Sequence, residues 1–336
     1  MTVDCRIIRR KEGEGMKKVV DDVRLMTKVC DLYYNQNVSQ QQIASMLSLS
    51  RPTVSRLLSS ARERGIVQIS VSNLDLIRYW EMERKLEEMY GLKEVLIVDS
   101  VEDADEQKKL IGRAAGQYVE NTIRDGDVVG LSMGSTLYQV VAHIMHPAAD
   151  HVTFVPLIGG MGQLRMDLHA NYLAETLAYI YDGRFVPLHA PARVSGAKIR
   201  EQFMKEESLA EAFRCAKHLN MALVGIGDPY DIHSSIMATG YFKENEKESL
   251  RARNAVGDIC MQFYNIEGDT APFQKDNNVI GIDIHRLRDV PYSVGIAGGM
   301  DKLAAIQGAV RGRYINILIT DIRCARALAA GDACQD

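Results

Sequence analysis

The chain has 336 residues, a formal net charge of −4, 46% hydrophobic residues and 25% charged residues. That is the composition of a soluble globular protein with room for two domains. No apolar run approaches the roughly 20 residues needed to span a bilayer, and the charged start MTVDCRIIRRKEGEG lacks an apolar signal core, so membrane partners are excluded and a cytoplasmic location is expected. Cys5, Cys30, Cys215, Cys260, Cys324 and Cys334 show no paired metal spacing, which suits reduced thiols and predicts neither metal nor cofactor.

The charge is unevenly spread. Residues 1–72 carry 12 Lys/Arg against 7 Asp/Glu, a net of +5, and the remainder carries 28 against 37, a net of −9. A basic head on an acidic body is the distribution expected of a DNA-binding module joined to a domain that does not touch DNA. A surplus this small binds phosphates weakly, so several heads are expected to act together in a homo-oligomer.

In chain order, residues 1–16 read as a disordered extension and 17–72 as the basic domain. A helix through Asp21–Tyr34 supplies a packing partner for the stretch Ser39–Arg64, which reads as two helices joined by a tight turn. Ser39 and Gln42 form a Ser-x-x-Gln capping box, and Ile43, Met46 and Leu47 recur as one buried face. Ser50 caps the second helix and Pro52 falls in its first turn. Val54, Leu57, Leu58 and Ala61 make its inner stripe, leaving Pro52, Ser55, Arg56 and Ser59 opposite, with Arg51 and Thr53 flanking. Short hydrogen-bonding side chains and arginines at the start of such a helix suit base edges and phosphates, and Ser39 and Gln40 start the supporting helix. A helical hairpin of an all-α domain is the competing reading; the doubled caps and basic outer face favour a helix-turn-helix.

After Gly65, Ile66–Val71 alternates as a short strand in the position of a wing. Residues 73–92 read as an amphipathic linker helix (Leu74–Tyr90), suited equally to subunit contact and to packing as a surface helix. From residue 93 to 336, strands at Val95–Val98, Asp127–Ser132, Val152–Leu157, Met221–Gly225, Val279–Ile284, Ser293–Ile296 and Ile315–Thr320 alternate with helices. This predicts an α/β domain with a mostly parallel, Rossmann-like sheet.

Four strands end in glycine-rich turns: residues 131–136 (LSMGST), 158–162 (IGGMG), 224–229 (VGIGDP) and 295–302 (GIAGGMDK). Each could be a plain strand-to-helix connection. Together, two of them with hydroxyls or a lysine, they suggest an anionic small-molecule site at the carboxyl ends of the strands. The loop Ser132, Gly134, Ser135, Thr136 is the best phosphate cradle, and Lys302 follows Gly298-Gly299 as a cation. None of these loops matches the dinucleotide or nucleotide-loop fingerprints. Asp258 opens a strand (DICMQFYN) and suits either a turn or sugar hydroxyls, with Cys260 two residues on along the same face as a buried thiol. His189, His233 and His285 have no metal-type spacing.

The order helix-turn-helix, linker, GLSMGST, IGGMG, GIGDP, Gly257-Asp258-Ile259 and VGIAGGMDKLAAIQGAVRGRYINILITD (Val294–Asp321) resembles the SorC family of sugar-binding transcriptional regulators. The resemblance runs over roughly residues 20–330 and is most specific in the last segment. It implies a tetrameric regulator binding operator DNA, whose sensor resembles phosphosugar isomerases and deaminases and takes a phosphorylated sugar or polyol effector. It further implies that Ser132–Thr136, the loop of Gly159, Gly160, Met161 and Gly162, and Lys302 surround the phosphate while Asp258 faces the sugar. Met161 and Cys260 stand where the side chain varies with the effector. An isomerase or deaminase carrying a DNA-binding head is the alternative, but Asp228, Asp258 and Asp301 form no constellation that sets a catalytic base apart from a ligand contact, so no catalytic residue is assigned.

Overall fold

The computed structural model describes residues 3–7, 22–71, 78–163, 165–231, 236, 239–241 and 244–331, which divide into two units, Met1–Arg78 and Tyr79–Asp336. His233, Cys334 and the start of the expected linker helix (74–77) lie outside the described residues.

In the first unit, Asp22 caps α1 (Val23–Cys30) by accepting the amides of Arg24 and Leu25. A wide turn, Asp31–Asn35, leads to α2 (Gln40–Met46). The predicted capping box is present: the Ser39 hydroxyl accepts the Gln42 amide at 3.3 Å, and Gln42 Oε1 accepts the Ser39 amide at 3.1 Å. Ser48 takes the left-handed φ of +53° in the turn. Ser50 then caps α3 (Arg51–Glu63) through the Thr53 amide. Met26, Val29, Ile43, Val54, Leu57 and Ala61 are sealed from solvent in the core between the three helices. Met46 departs from expectation. It is 62% exposed, because α2 buries Ile43 and Ala44, with Leu47 beside them, and Met46 points off that stripe.

Two further differences concern strands. β1 (Val3–Ile7) lies inside the segment expected as a disordered extension, and it pairs antiparallel with β2 (Val67–Val71), from Val3 opposite Val71 to Ile7 opposite Val67. The strand after the recognition-type helix therefore finds its partner at the chain start rather than in a local hairpin. An edge strand with apolar residues at alternate positions needs such a partner.

In the second unit, α4 (Trp80–Tyr90) covers the edge of the main sheet. Glu87 and Glu83 accept the outward amides of Val95 and Ile97 at 2.9 and 2.8 Å, satisfying the open side of β3 (Glu94–Val98). Then come α5 (Ala104–Thr122), β4 (Val128–Leu131), α6 (Ser135–Ala142), β5 (Thr153–Pro156), α7 (Ala170–Ile180), β6 (Arg184–Phe185), β7 (Met221–Gly225), β8 (Gly257–Ile259), β9 (Gln262–Tyr264), β10 (Tyr292–Ile296) and β11 (Ile317–Asp321). The main sheet has seven strands in the order β3-β11-β10-β7-β4-β5-β6, every pair parallel. Alternate residues supply the two cores, Met221 and Leu223 one and Ala222 and Val224 the other, as a sheet covered on both faces requires.

Two expected strands differ. Val279–Ile284 makes only single bridges, Val279 to Arg193 and Gly281 to Ile158. The segment from Asp258 is not one strand but a hairpin of β8 and β9, turned at Cys260 and Met261 with φ of +52° and +59°. Two consecutive positive φ values are the mark of a type I′ turn. Asp258 Oδ2 accepts the Met261 amide at 3.1 Å and so closes it.

Leu57→Ala, at a site with no solvent exposure, is expected to destabilise the first unit by about 2–5 kcal/mol. Urea unfolding followed by circular dichroism checks this; an unchanged midpoint would show that α3 does not carry the core.

Candidate functional site

From β4 the chain moves outward through β5 to β6, and from β7 it moves the other way through β10 to β11. β4 and β7 are neighbours, with Val129 opposite Met221 and Leu131 opposite Leu223. Their loops therefore leave in opposite directions and open a crevice at their carboxyl ends, the switch point at which open α/β sheets bind ligands. A cavity of about 110 Å³ lies there, lined by Lys108, Ser132 to Thr136, Gly225 to Gly227, Asp231, Ile236, Asp258, Cys260 and Lys302.

The β4 loop is built for close approach. Gly134 has a φ of +119°, which side chains rarely adopt, and it caps α6, whose first-turn amides have no intrahelical partners. An anion is favoured there by those amides, by the Ser135 and Thr136 hydroxyls and by the helix dipole. Ser132 is buried, and its hydroxyl accepts the Gly225 amide at 3.1 Å, stitching the two loops together.

Asp258 is 4% exposed. Gly227 and Asp258 exchange backbone hydrogen bonds at 2.9 and 3.0 Å, which brings the hairpin against the β7 loop. Asp258 Oδ1 is buried without a hydrogen-bond partner. Burial pushes its carboxyl up to about 6, with the Met261 amide and Lys302 pulling the other way. Burial likewise pushes the Cys260 thiol up, so it stays protonated and unreactive near neutrality. Lys302 lies 3.5 Å from Asp231 and 3.9 Å from Asp301.

Of the expected effector residues, the structure brings together Ser132, Gly134, Ser135, Thr136, Asp258, Cys260 and Lys302. Gly159, Gly160, Met161 and Gly162 are not among the described residues lining this cavity. A Cβ at Gly159 would lie 2.4 Å from the Ala190 carbonyl, the Gly160 amide donates to that same carbonyl, and Met161 is 1% exposed. Close backbone packing is thus a second reason for glycine at 159, where a Cβ would clash. Lys108, on α5, was not picked out from the sequence. Its i,i+3 pair with Asp105 reads as an ordinary solvated helix face, and only the fold carries it to a loop 24 residues away.

A larger cavity of about 550 Å³ lies elsewhere in the unit. Two of its arginines are ion-paired, Arg193 with Glu246 at 2.6 Å and Arg253 with Asp276 at 2.7 Å, and its lining residues lie away from the β4–β7 switch point. Among the described residues no group of His, Cys, Asp and Glu could hold a metal ion; His285 instead pairs with Thr270 at 2.9 Å.

On α3, Arg51, Pro52, Ser55 and Arg56 are exposed, and Thr53 and Ser59 are half-buried. Ser39 is exposed and Gln40 half-buried at the start of α2. The caps occupy two of these hydroxyls: Ser39 donates to Gln42 Oε1 at 2.8 Å, and Thr53 Oγ1 lies 2.7 Å from Ser50 Oγ. Arg51, Ser55 and Arg56 are left exposed on α3, and the two arginines reach furthest.

Asp258 has a measurable consequence. Its ordinary value is 3.8 and its folded value about 6, so between these the folded chain keeps a proton that the unfolded chain releases. Stability should fall as pH rises from about 4 to about 6, by roughly 3 kcal/mol in all. Asp258→Asn is expected to flatten that slope in urea unfolding at a series of pH values. An unchanged slope would show that the carboxylate is not held at a cost.

Comparison with known proteins agrees with this architecture. A family model described as "Putative sugar-binding domain" matches residues 75–330, and a Crp-like helix-turn-helix domain matches residues 24–83. The chain is 35% identical to the deoxyribonucleoside regulator of Bacillus subtilis, over 91% of this chain and 97% of that protein. It is 34% identical to the sorbitol operon regulator of Klebsiella pneumoniae, over 92% and 98%. The crystal structure of that full-length regulator, SorC, superposes with a TM-score of 0.69, covering 92% of this chain and 99% of the other. With a sugar-binding domain over most of its length and a helix-turn-helix before it, the chain belongs to the SorC family of sugar-binding transcriptional regulators.

Proposed function

We propose that the chain controls a carbohydrate or polyol operon, and that a phosphorylated sugar or polyol in the switch-point cavity sets its hold on operator DNA. Its family makes it a DNA-binding regulator rather than an enzyme. The observation that carries the effector reading is the composition of the cavity: Lys302, Lys108 and a Ser-Thr loop at a helix start, together with Asp258, whose buried carboxylate keeps an unpartnered oxygen. The cations and hydroxyls fit a phosphate, and the carboxylate fits a sugar hydroxyl, which would supply the missing hydrogen bond.

The effector acts by binding one conformation of the regulator better than another, and can shift operator affinity only by that difference, about 1–3 kcal/mol per coupled site. A head of net charge +5 favours several heads on one operator, and this supports a homotetramer. Among the described residues no helix is long and apolar enough to cross a membrane, and a role on operator DNA favours a cytoplasmic location. Fluorescence anisotropy of the full chain on the DNA upstream of its own gene, at two salt concentrations and with and without sugar phosphates, tests the whole. Absence of specific, salt-dependent binding would overturn the operator reading, and indifference to every sugar phosphate would overturn the effector reading.

Two variants separate the halves. Arg56→Ala should weaken operator binding by about 1–3 kcal/mol if the arginine reads a base; an unchanged affinity in the same titration removes that role. Lys302→Ala should leave operator affinity intact and abolish the response to effector, and a retained response counts against its holding phosphate.

A further inference from the structure

The candidate phosphate site already contains an anion of its own. Asp231 and Lys302 line the same cavity, and the Asp231 carboxylate lies 3.5 Å from the Lys302 ammonium, with side chains 26% and 16% exposed. Asp301, the other carboxylate near this lysine, is further away at 3.9 Å and 60% exposed. Asp231 is also held in place. It follows a turn in which Asp228 Oδ1 accepts the Tyr230 amide at 2.8 Å. The Tyr230 hydroxyl donates to the Ala255 carbonyl at 2.9 Å, and its ring lies beneath the Arg251 guanidinium. The aspartate is thus presented by an anchored turn at the end of the β7 loop, on the side of the crevice facing Lys302.

A phosphate that takes its place beside Lys302 brings like charge close to Asp231 in a half-buried cleft, where repulsion is screened less than in open water. We propose that Asp231 is an internal competitor for the effector's phosphate: it holds Lys302 in the empty sensor and must give the lysine up when phosphate enters. This rests on the phosphate reading of the cavity given above. It makes Asp231 a determinant of specificity. A doubly charged phosphate monoester, with more charge and three oxygens to offer the lysine and the β4 loop, displaces the aspartate. A singly charged carboxylate of a sugar acid only exchanges like for like and gains nothing.

The test uses the full-length protein and titrates inorganic phosphate, then acetate, by calorimetry. Five proteins are compared: the parent, Asp231→Asn, Asp301→Asn, Lys302→Gln and the double variant Asp231→Asn/Lys302→Gln, each first shown to bind its operator DNA as a check on folding. Asp231→Ser serves if the asparagine variant fails that check. The expected result is that Asp231→Asn binds phosphate about tenfold more tightly than the parent, since the neutral amide removes a like charge about 4 Å away. Asp301→Asn should change affinity by about twofold at most, as exposed charges do. The gain from Asp231→Asn should disappear in the double variant with Lys302→Gln, and acetate should bind detectably only where Asp231 has been neutralised. If the parent binds phosphate and Lys302→Gln does not, but Asp231→Asn binds no more tightly than the parent, the competitor role is overturned and the phosphate site stands. If Lys302→Gln binds phosphate as well as the parent, or the parent binds none, the phosphate site falls and the competitor falls with it.

Discussion

The parallel pairing of β4 with β7 is the constraint on which the site depends. A sheet whose seven strands are all parallel leaves no gap between neighbours except where two adjacent strands send their chains in opposite directions. β4 and β7 are that pair. Their register puts Leu131 level with Leu223, so Ser132 and Gly225 emerge side by side and bond to one another. The rest of the cavity is assembled onto this seam. The β8–β9 hairpin reaches it through the Gly227–Asp258 bridge, and Lys302 reaches it from the loop after β10. The Gly299 amide donates to Asp321 Oδ2 at 2.6 Å, anchoring that loop to the end of β11. Remove the pairing and the same loops would have no reason to meet.

The electrostatics of the cavity are balanced rather than simply cationic. Lys108 and Lys302 face Asp231 and Asp258, so the empty site carries little net charge. A purely basic pocket would hold any anion. On the proposed reading an anion competes here with internal carboxylates, and a second part of the ligand bonds to the one that stays. A molecule with a phosphate at one end and hydroxyls at the other would meet both demands, so that two weak preferences become one specificity.

What the sequence discloses and what it conceals divide along the range of the interactions. The capping box of Ser39 and Gln42 and the cap at Ser50 are complete within four residues, and both are readable before any folding. The apolar runs of β4, β7, β10 and β11 are nearly as plain, because strands buried on both faces have no polar alternation to confuse. Strand order is set by partners as distant in the chain as Glu94 and Ile317, and leaves no local trace. The hairpin at Asp258 looks like one strand because its turn is made by Cys260 and Met261, residues that give none of the usual glycine or asparagine signal. Val279–Ile284 misleads in the opposite sense, an apolar run with β-branched residues that is buried in extended form but joins no sheet. Lys108 could not be found from spacing at all. Glycine permits close approach by a ligand or by a backbone, and at Gly159 the Ala190 carbonyl supplies a backbone that comes close, which the sequence does not disclose.

Two departures from local preference adjoin in the wall of this cavity. Cys260 and Met261 take left-handed angles in succession, and Asp258 keeps a buried oxygen without a partner. Each has a cheaper alternative that folding alone would favour: asparagine and glycine in the turn, an apolar or amide side chain at 258. Left-handed non-glycine residues elsewhere, Asn37, Ser48, His151, Asp182, Asn254 and Arg313, occur singly rather than as a consecutive pair. A bulky pair in a tight turn beside an unpaired carboxylate is different, because the strain and the unmet hydrogen bond lie in adjacent residues of one wall. The turn holds one carboxylate oxygen, since Oδ2 is bound to the Met261 amide, and leaves Oδ1 buried without a partner. Folding stability is lowered at this turn, and what it retains is the acceptor to which the proposed effector's hydroxyl would bond.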